Sequence, residues 1–242
     1  MTGLPREPGD RLRHAPEWLA ASAGLLAFAI VAVACVVAAT VYTGTAGEPY
    51  NPLSHWISEL GQLGVSAGAG LFNLGLMLGG TAFGLFAGGL AMTSPSRLRW
   101  VFGPAGVVAA IGGIFVGVYP MNFGARHVAA AFVFFGLGWV FVTLASVAFL
   151  RHREPRHPAW LAGVGAMSAA AFVAFMVSLQ ADAFSRERMA SSGPIVGRPA
   201  LWIAPILEWA TLIGIMAFVL LTSLAWLREL AREVAEPPGN GA

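Results

Sequence analysis

His55 and Glu59 stand four residues apart in the segment Asn51-Pro-Leu-Ser-His-Trp-Ile-Ser-Glu-Leu-Gly61. On a helix that spacing makes neighbours, suited to sharing a proton or to supplying two ligands of a metal. Two residues make only half a zinc site, and the further histidine on that side of the chain is His127, so no metal is predicted. Glu208 stands about 12 Å of helix rise inside an apolar run, where a carboxylate is costly unless paired, protonated or facing a wet cavity. Asp182 closes another such run. These groups define a candidate acid-base set of His127, Glu59, Glu208 and Asp182. Ser58, His55, Asn73 and Arg198 form a candidate ligand-binding set, with Arg198 able to clamp a phosphate or carboxylate. An equally simple reading has Glu208 as a protonated or salt-bridged structural group, and the outer arginines paired with Glu187, Asp182 or lipid headgroups.

The elements that must position these residues follow from composition. Of 242 residues 57% are hydrophobic and 11% charged. A soluble domain carries about a quarter charged residues, so the solvent here must be lipid. Six uncharged or nearly uncharged runs are long enough to cross a bilayer, at residues 18–42, 65–92, 100–119, 128–150, 159–181 and 200–227. An all-α bundle of six transmembrane helices is therefore expected, with residues 1–17 and 228–242 as terminal segments. The first run is too long for a signal peptide and reads as a retained helix. Ten of the fourteen arginines fall in the termini and in the second and fourth connections. By the positive-inside rule both termini are cytoplasmic, in a cell membrane.

The same rule reads the basic knot Arg151 to His157 as a topology determinant rather than a nucleic-acid patch, and no nucleic-acid partner is expected. All fourteen basic residues are arginine, which with the abundance of Ala and Gly suggests a GC-rich bacterial genome. The lone Cys35 lies in an apolar run and reads as packing. Gly75 and Gly79, then Gly80, Gly84 and Gly88, recur at four-residue spacing and predict close helix contacts, with the Asn73 amide on the packed face bonding to another helix.

Within the first outer loop, Asn51 and Pro52 form a start signal and Gly61 a stop. Leu53, Trp56, Ile57 and Leu60 fall on one side at i, i+3, i+4 and i+7, and Ser54, His55, Ser58, Glu59 and Gln62 on the other. A short amphipathic helix is expected, either lying in the interface or turned toward the mouth of the bundle.

The run Asn51 to Gly61, followed by Phe72-Asn-Leu-Gly75 and by Gly117-Val-Tyr-Pro120 with His127 downstream, resembles a family of prokaryotic membrane proteins, the domain of unknown function numbered 998. A fainter similarity points to FRAG/DRAM/Sfk-type membrane proteins. The resemblance implies the fold and the importance of Ser58, Glu59, Asn73 and His127, and no established activity.

Phosphate-binding loops, His-Glu-x-x-His, Gly-x-Ser-x-Gly and Cys-x-x-Cys are absent from the sequence, and no cofactor is indicated. Three functions remain in order. The first is a non-enzymatic membrane component, a scaffold or sensor. The second is an intramembrane enzyme acting on a lipid or lipid-linked substrate at the outer face. The third is a small proton-coupled transporter, for which Pro205 is the one hint of a broken helix. Membrane lipids and a lipid-linked or anionic ligand are the partners these residues would take. Oligomeric state is not encoded in any motif here.

Overall fold

A computed structural model describes residues 14–183, 185, 187, 195 and 197–235. Among the described residues six helices are long and apolar enough to span a membrane: α1 (Ala15–Thr40), α2 (Ala69–Thr93), α3 (Arg99–Val118), α4 (Ala125–Arg151), α5 (Ala159–Ala181) and α6 (Ile203–Ala235). The spans fall within a few residues of their expected limits, because an apolar run satisfies its backbone in lipid only as a helix, except that α6 runs eight residues past Leu227 to Ala235. Each helix packs on the next in sequence, and α6 returns to α1, so the six form a closed ring. Leu78 and Leu85 on α2, Met167 on α5 and Ile213 on α6 remain exposed, as lipid-facing residues must.

Two faces of α2 fit its neighbours through the expected glycine rows. Gly75 and Gly79 lie against Ala34 and Val31 of α1, while Gly80 and Gly84 approach Ala110 of α3. Pro205 sits in the first turn of α6, where proline interrupts no intrahelical bond, so the helix is unbroken at that point.

The end that carries the 41–68 connection is here called the loop end. At the opposite end, Phe86, Phe141, Phe149, Phe218 and Trp226 fill the ring and are fully buried. Phe141 meets Phe83 and Phe218 edge-on, at centroid distances of 5.5 and 6.1 Å. Arg156, from the basic knot, bridges Glu17 of α1 at 3.2 Å and Glu233 of α6 at 2.9 Å. His157 accepts a hydrogen bond from the Trp226 indole at 2.8 Å, and its burial lowers the imidazole pKa to about 4. Part of the knot is thus a clasp between the first and last helices.

Candidate functional site

The short helix of the first connection is a 3-10 helix, Ile57–Gly61, preceded by turns from Asn51 rather than by a continuous amphipathic α-helix. Of the expected apolar side, Trp56, Ile57 and Leu60 are buried and Leu53 is exposed, while Ser54, His55 and Glu59 from the other side are buried too. Both sides are covered because the segment plugs the mouth of the ring. It forms a roof and does not float in the interface.

Glu59 holds that roof. Its Oε1 accepts from the Trp56 backbone N–H at 2.8 Å, a reach-back of the capping-box kind. Arg198, from the connection before α6, then grips the carboxylate with both arms, Nη1 to Oε1 at 3.1 Å and Nη2 to Oε2 at 3.0 Å. The Tyr42 hydroxyl donates to Oε2 at 3.2 Å. Four donors thus satisfy a side chain that is 1% exposed. Burial and the adjacent Glu59 carboxylate raise the Tyr42 pKa well above the ordinary phenol value, which keeps the hydroxyl a donor. Arg198 also donates to the Ser54 carbonyl at 3.1 Å and lies 3.7 Å from Glu48. Glu48 resists its own partial burial: two backbone amides and Arg198 keep its carboxyl below the usual range.

Further ties surround this pair. Asn73 donates to the Gly61 carbonyl at 2.9 Å, so its amide bonds to the roof and not to a neighbouring spanning helix. Asn122 and Leu63 exchange two hydrogen bonds, at 2.7 and 3.0 Å, joining the first and third connections. The Trp202 indole donates to Asp182 at 2.8 Å, and the Trp202 backbone N–H donates to the Leu53 carbonyl at 2.8 Å. Asp182 is therefore occupied in joining α5 to the approach of α6. His55 lies in an aromatic group with Tyr42 and Tyr50, its Nδ1 beside the Asn51 backbone and its Nε2 3.9 Å from Glu48 rather than bonded to Glu59. Burial lowers its pKa, so the ring is held neutral. Arg186 and Arg188 lie outside the described residues.

Three of the candidates go elsewhere. Glu208 stands five residues into α6 and is 9% exposed; its Oε2 accepts the Ile57 N–H at 2.7 Å. That bond fixes the start of the 3-10 helix to α6. His127 of α4 is 8% exposed, and its Nδ1 faces the Tyr119 carbonyl at 2.9 Å. A carbonyl only accepts, so Nδ1 carries the proton and Nε2 a lone pair. Ser58 makes only a long contact to Met121 Sδ, at 3.9 Å. Beneath the roof are two chambers of about 110 and 80 Å³, and Ser58, His127 and Glu208 line both. The remaining lining is apolar or aromatic, with Ala131 and Phe135 also shared. No hydrogen bond joins the three polar side chains to one another among the described residues. The smaller chamber reaches between α4 and α5, where Phe135 and Met176 also border an apolar groove on the outside of the bundle. Among the described residues no three His, Cys, Asp or Glu side chains gather closely enough to hold a metal ion.

Sequence reasoning missed Tyr42, Tyr50, Asn122 and Trp202. A signal existed for the first two: Tyr42 and Tyr50 are two of only three tyrosines, and both flank the informative loop.

A multi-pass membrane bundle, with an apolar chamber tipped by three polar side chains under a cross-linked roof, is the class that this geometry defines. The chain belongs to the protein family of unknown function DUF998, whose model matches residues 29–225. That match covers every spanning helix in whole or in part. No curated protein and no solved structure matches the chain.

Proposed function

We propose that this protein is a non-enzymatic, sensor-like membrane component that binds an apolar, lipid-derived molecule beneath its loop-end roof. One observation carries the reading: Ser58, His127 and Glu208, each with hydrogen-bonding capacity beyond the one contact it makes to the protein, all line both chambers. Buried polar groups are normally satisfied, and a bound ligand would satisfy these. The larger chamber, about 110 Å³, approaches the roughly 150 Å³ cavity that holds one benzene ring, and the smaller is about half that size. Each therefore takes a short stretch of one hydrocarbon chain, and the groove between α4 and α5 has room for the rest.

Ala131 borders both chambers. Ala131→Trp is expected to fill the space without removing any hydrogen bond that holds the roof. Lipid extracted from the purified native protein should contain an enriched amphiphile that is missing from this variant, with Ala131→Phe as a milder second variant. An identical lipid inventory in all three proteins of matching thermal stability would refute binding at this site.

The enzymatic reading stands second because His127 carries a free lone pair in the cavity that Ser58 also lines. Its signature would be a lipid species that accumulates in cells lacking the protein and is restored by native protein but not by a well-expressed His127→Ala variant. Proton-coupled transport ranks third. The unbroken start of α6 and the aromatic packing of the opposite end give it no support.

The arginine distribution supports a cell-membrane location with the loop end outside and both termini cytoplasmic. Thr45 and Arg153 are exposed at opposite ends. A membrane-impermeant maleimide applied to intact cells is expected to label Thr45→Cys and spare Arg153→Cys, in a background where Cys35 is buried. The reverse pattern would invert the topology.

A further inference from the structure

The charges around the chambers select the ligand's polar end. Ser58, His127 and Glu208 offer a hydroxyl, a ring nitrogen with a lone pair and a carboxyl oxygen beyond the one bonded to Ile57. With Glu208 ionised, two of these are acceptors, and the third both donates and accepts. Among the described residues no arginine lines either chamber. Arg198, expected to clamp an anion, is engaged by Glu59 and lies near Glu48. Arg126, adjacent to His127, is exposed and lies over the Tyr119 ring at 5.7 Å, outside the cavity. When ionised, Glu208 adds a further carboxylate beside Glu59 and Glu48, whose arginine partner among the described residues is Arg198.

The geometry points to a single-chain amphiphile whose head is a hydrogen-bond donor, an amine or a hydroxyl, seated among Ser58, His127 and Glu208. A phosphate or carboxylate head would be desolvated there beside the Glu208 carboxylate, with no cation among the described lining residues to compensate it. The inference rests on the binding reading above and adds the head-group class. The tail enters between Phe135 and Met176, the residues shared by the inner chamber and the outer groove.

Native mass spectrometry of the full chain, released from a detergent with a bulky sugar head, tests this with four probes of equal chain length: decylamine, decylglycerol ether, decyl phosphate and decanoate. The amine or the glycerol ether is expected to be retained about tenfold more strongly than either anion, a difference of ~1.4 kcal/mol. Glu208→Gln keeps an acceptor for the Ile57 N–H and should lose most of the amine preference while remaining folded. Ser58→Ala should weaken the glycerol ether. Equal or stronger retention of decyl phosphate or decanoate would overturn the head-group assignment and leave the binding reading standing. Retention of none of the four would overturn both.

Discussion

Glu59→Ala is expected to lower the stability of the purified protein by about 3–5 kcal/mol, the range for breaking a buried ion pair at one partner. The substitution strands the Arg198 guanidinium, whose side chain is only 16% exposed, and removes the acceptor of the Tyr42 hydroxyl and of the Trp56 amide. In a thermal melt this should appear as a fall in midpoint on the order of 10 °C. The loss does not mean that the pair contributes that much, since most of it is the penalty of an unpaired buried charge. A double variant, Glu59→Ala with Arg198→Met, should therefore melt well above the sum of the single losses. Additive losses, or a Glu59→Ala melt within about 1 kcal/mol of native, would show that the roof is held by something other than this pair. The same experiment separates position from chemistry. A residue saturated by four donors has no lone pair to spare for a substrate proton, so any effect of Glu59 on ligand binding should follow the loss of the roof.

Gly112→Leu is the second large effect expected, at or above the upper end of the 1–3 kcal/mol cost of overpacking. A Cβ at Gly112 would lie 2.7 Å from the Phe134 backbone nitrogen and 3.0 Å from the Ala130 carbonyl oxygen. Those are backbone atoms of α4, which can retreat only if α3 and α4 separate. The helices then lose their contact beside the wall that carries His127, and the chambers open. Gly163 of α5 provides the contrast, because nothing lies within 4 Å of a Cβ there. Gly163→Ala should be neutral or stabilise by up to about 1 kcal/mol through helix propensity. Melting curves of the two variants should move in opposite directions. If Gly112→Leu melted like the native protein, the close approach of α3 and α4 would not be required for the fold.

The spanning helices were legible in the sequence because lipid imposes one rule on every residue of a run. A stretch of about 20 apolar residues must satisfy its own backbone and can do so only as a helix. The approximate helix limits and the two glycine faces of α2 follow from composition and local spacing. The loop from Asn51 to Gly61 was legible as a place of interest, since polar and aromatic residues concentrate there. Its local pattern nevertheless described a helix with one dry face and one wet face.

What only the tertiary structure decided is which groups neutralise one another. Glu59 and Arg198 are 139 residues apart, and Glu208 meets Ile57 across 151. No periodicity links such positions. The ring closure of α6 onto α1 brings the last connection over the first and turns a candidate base and a candidate anion clamp into a single structural pair. The same closure leaves Ser58, His127 and Glu208 around a cavity. Sequence determined which side chains could ionise or hydrogen-bond at this end of the bundle, because that is fixed by residue type. Packing decided which of them are consumed by each other, because burial makes an unpaired charge too costly to leave and so commits every partner within reach.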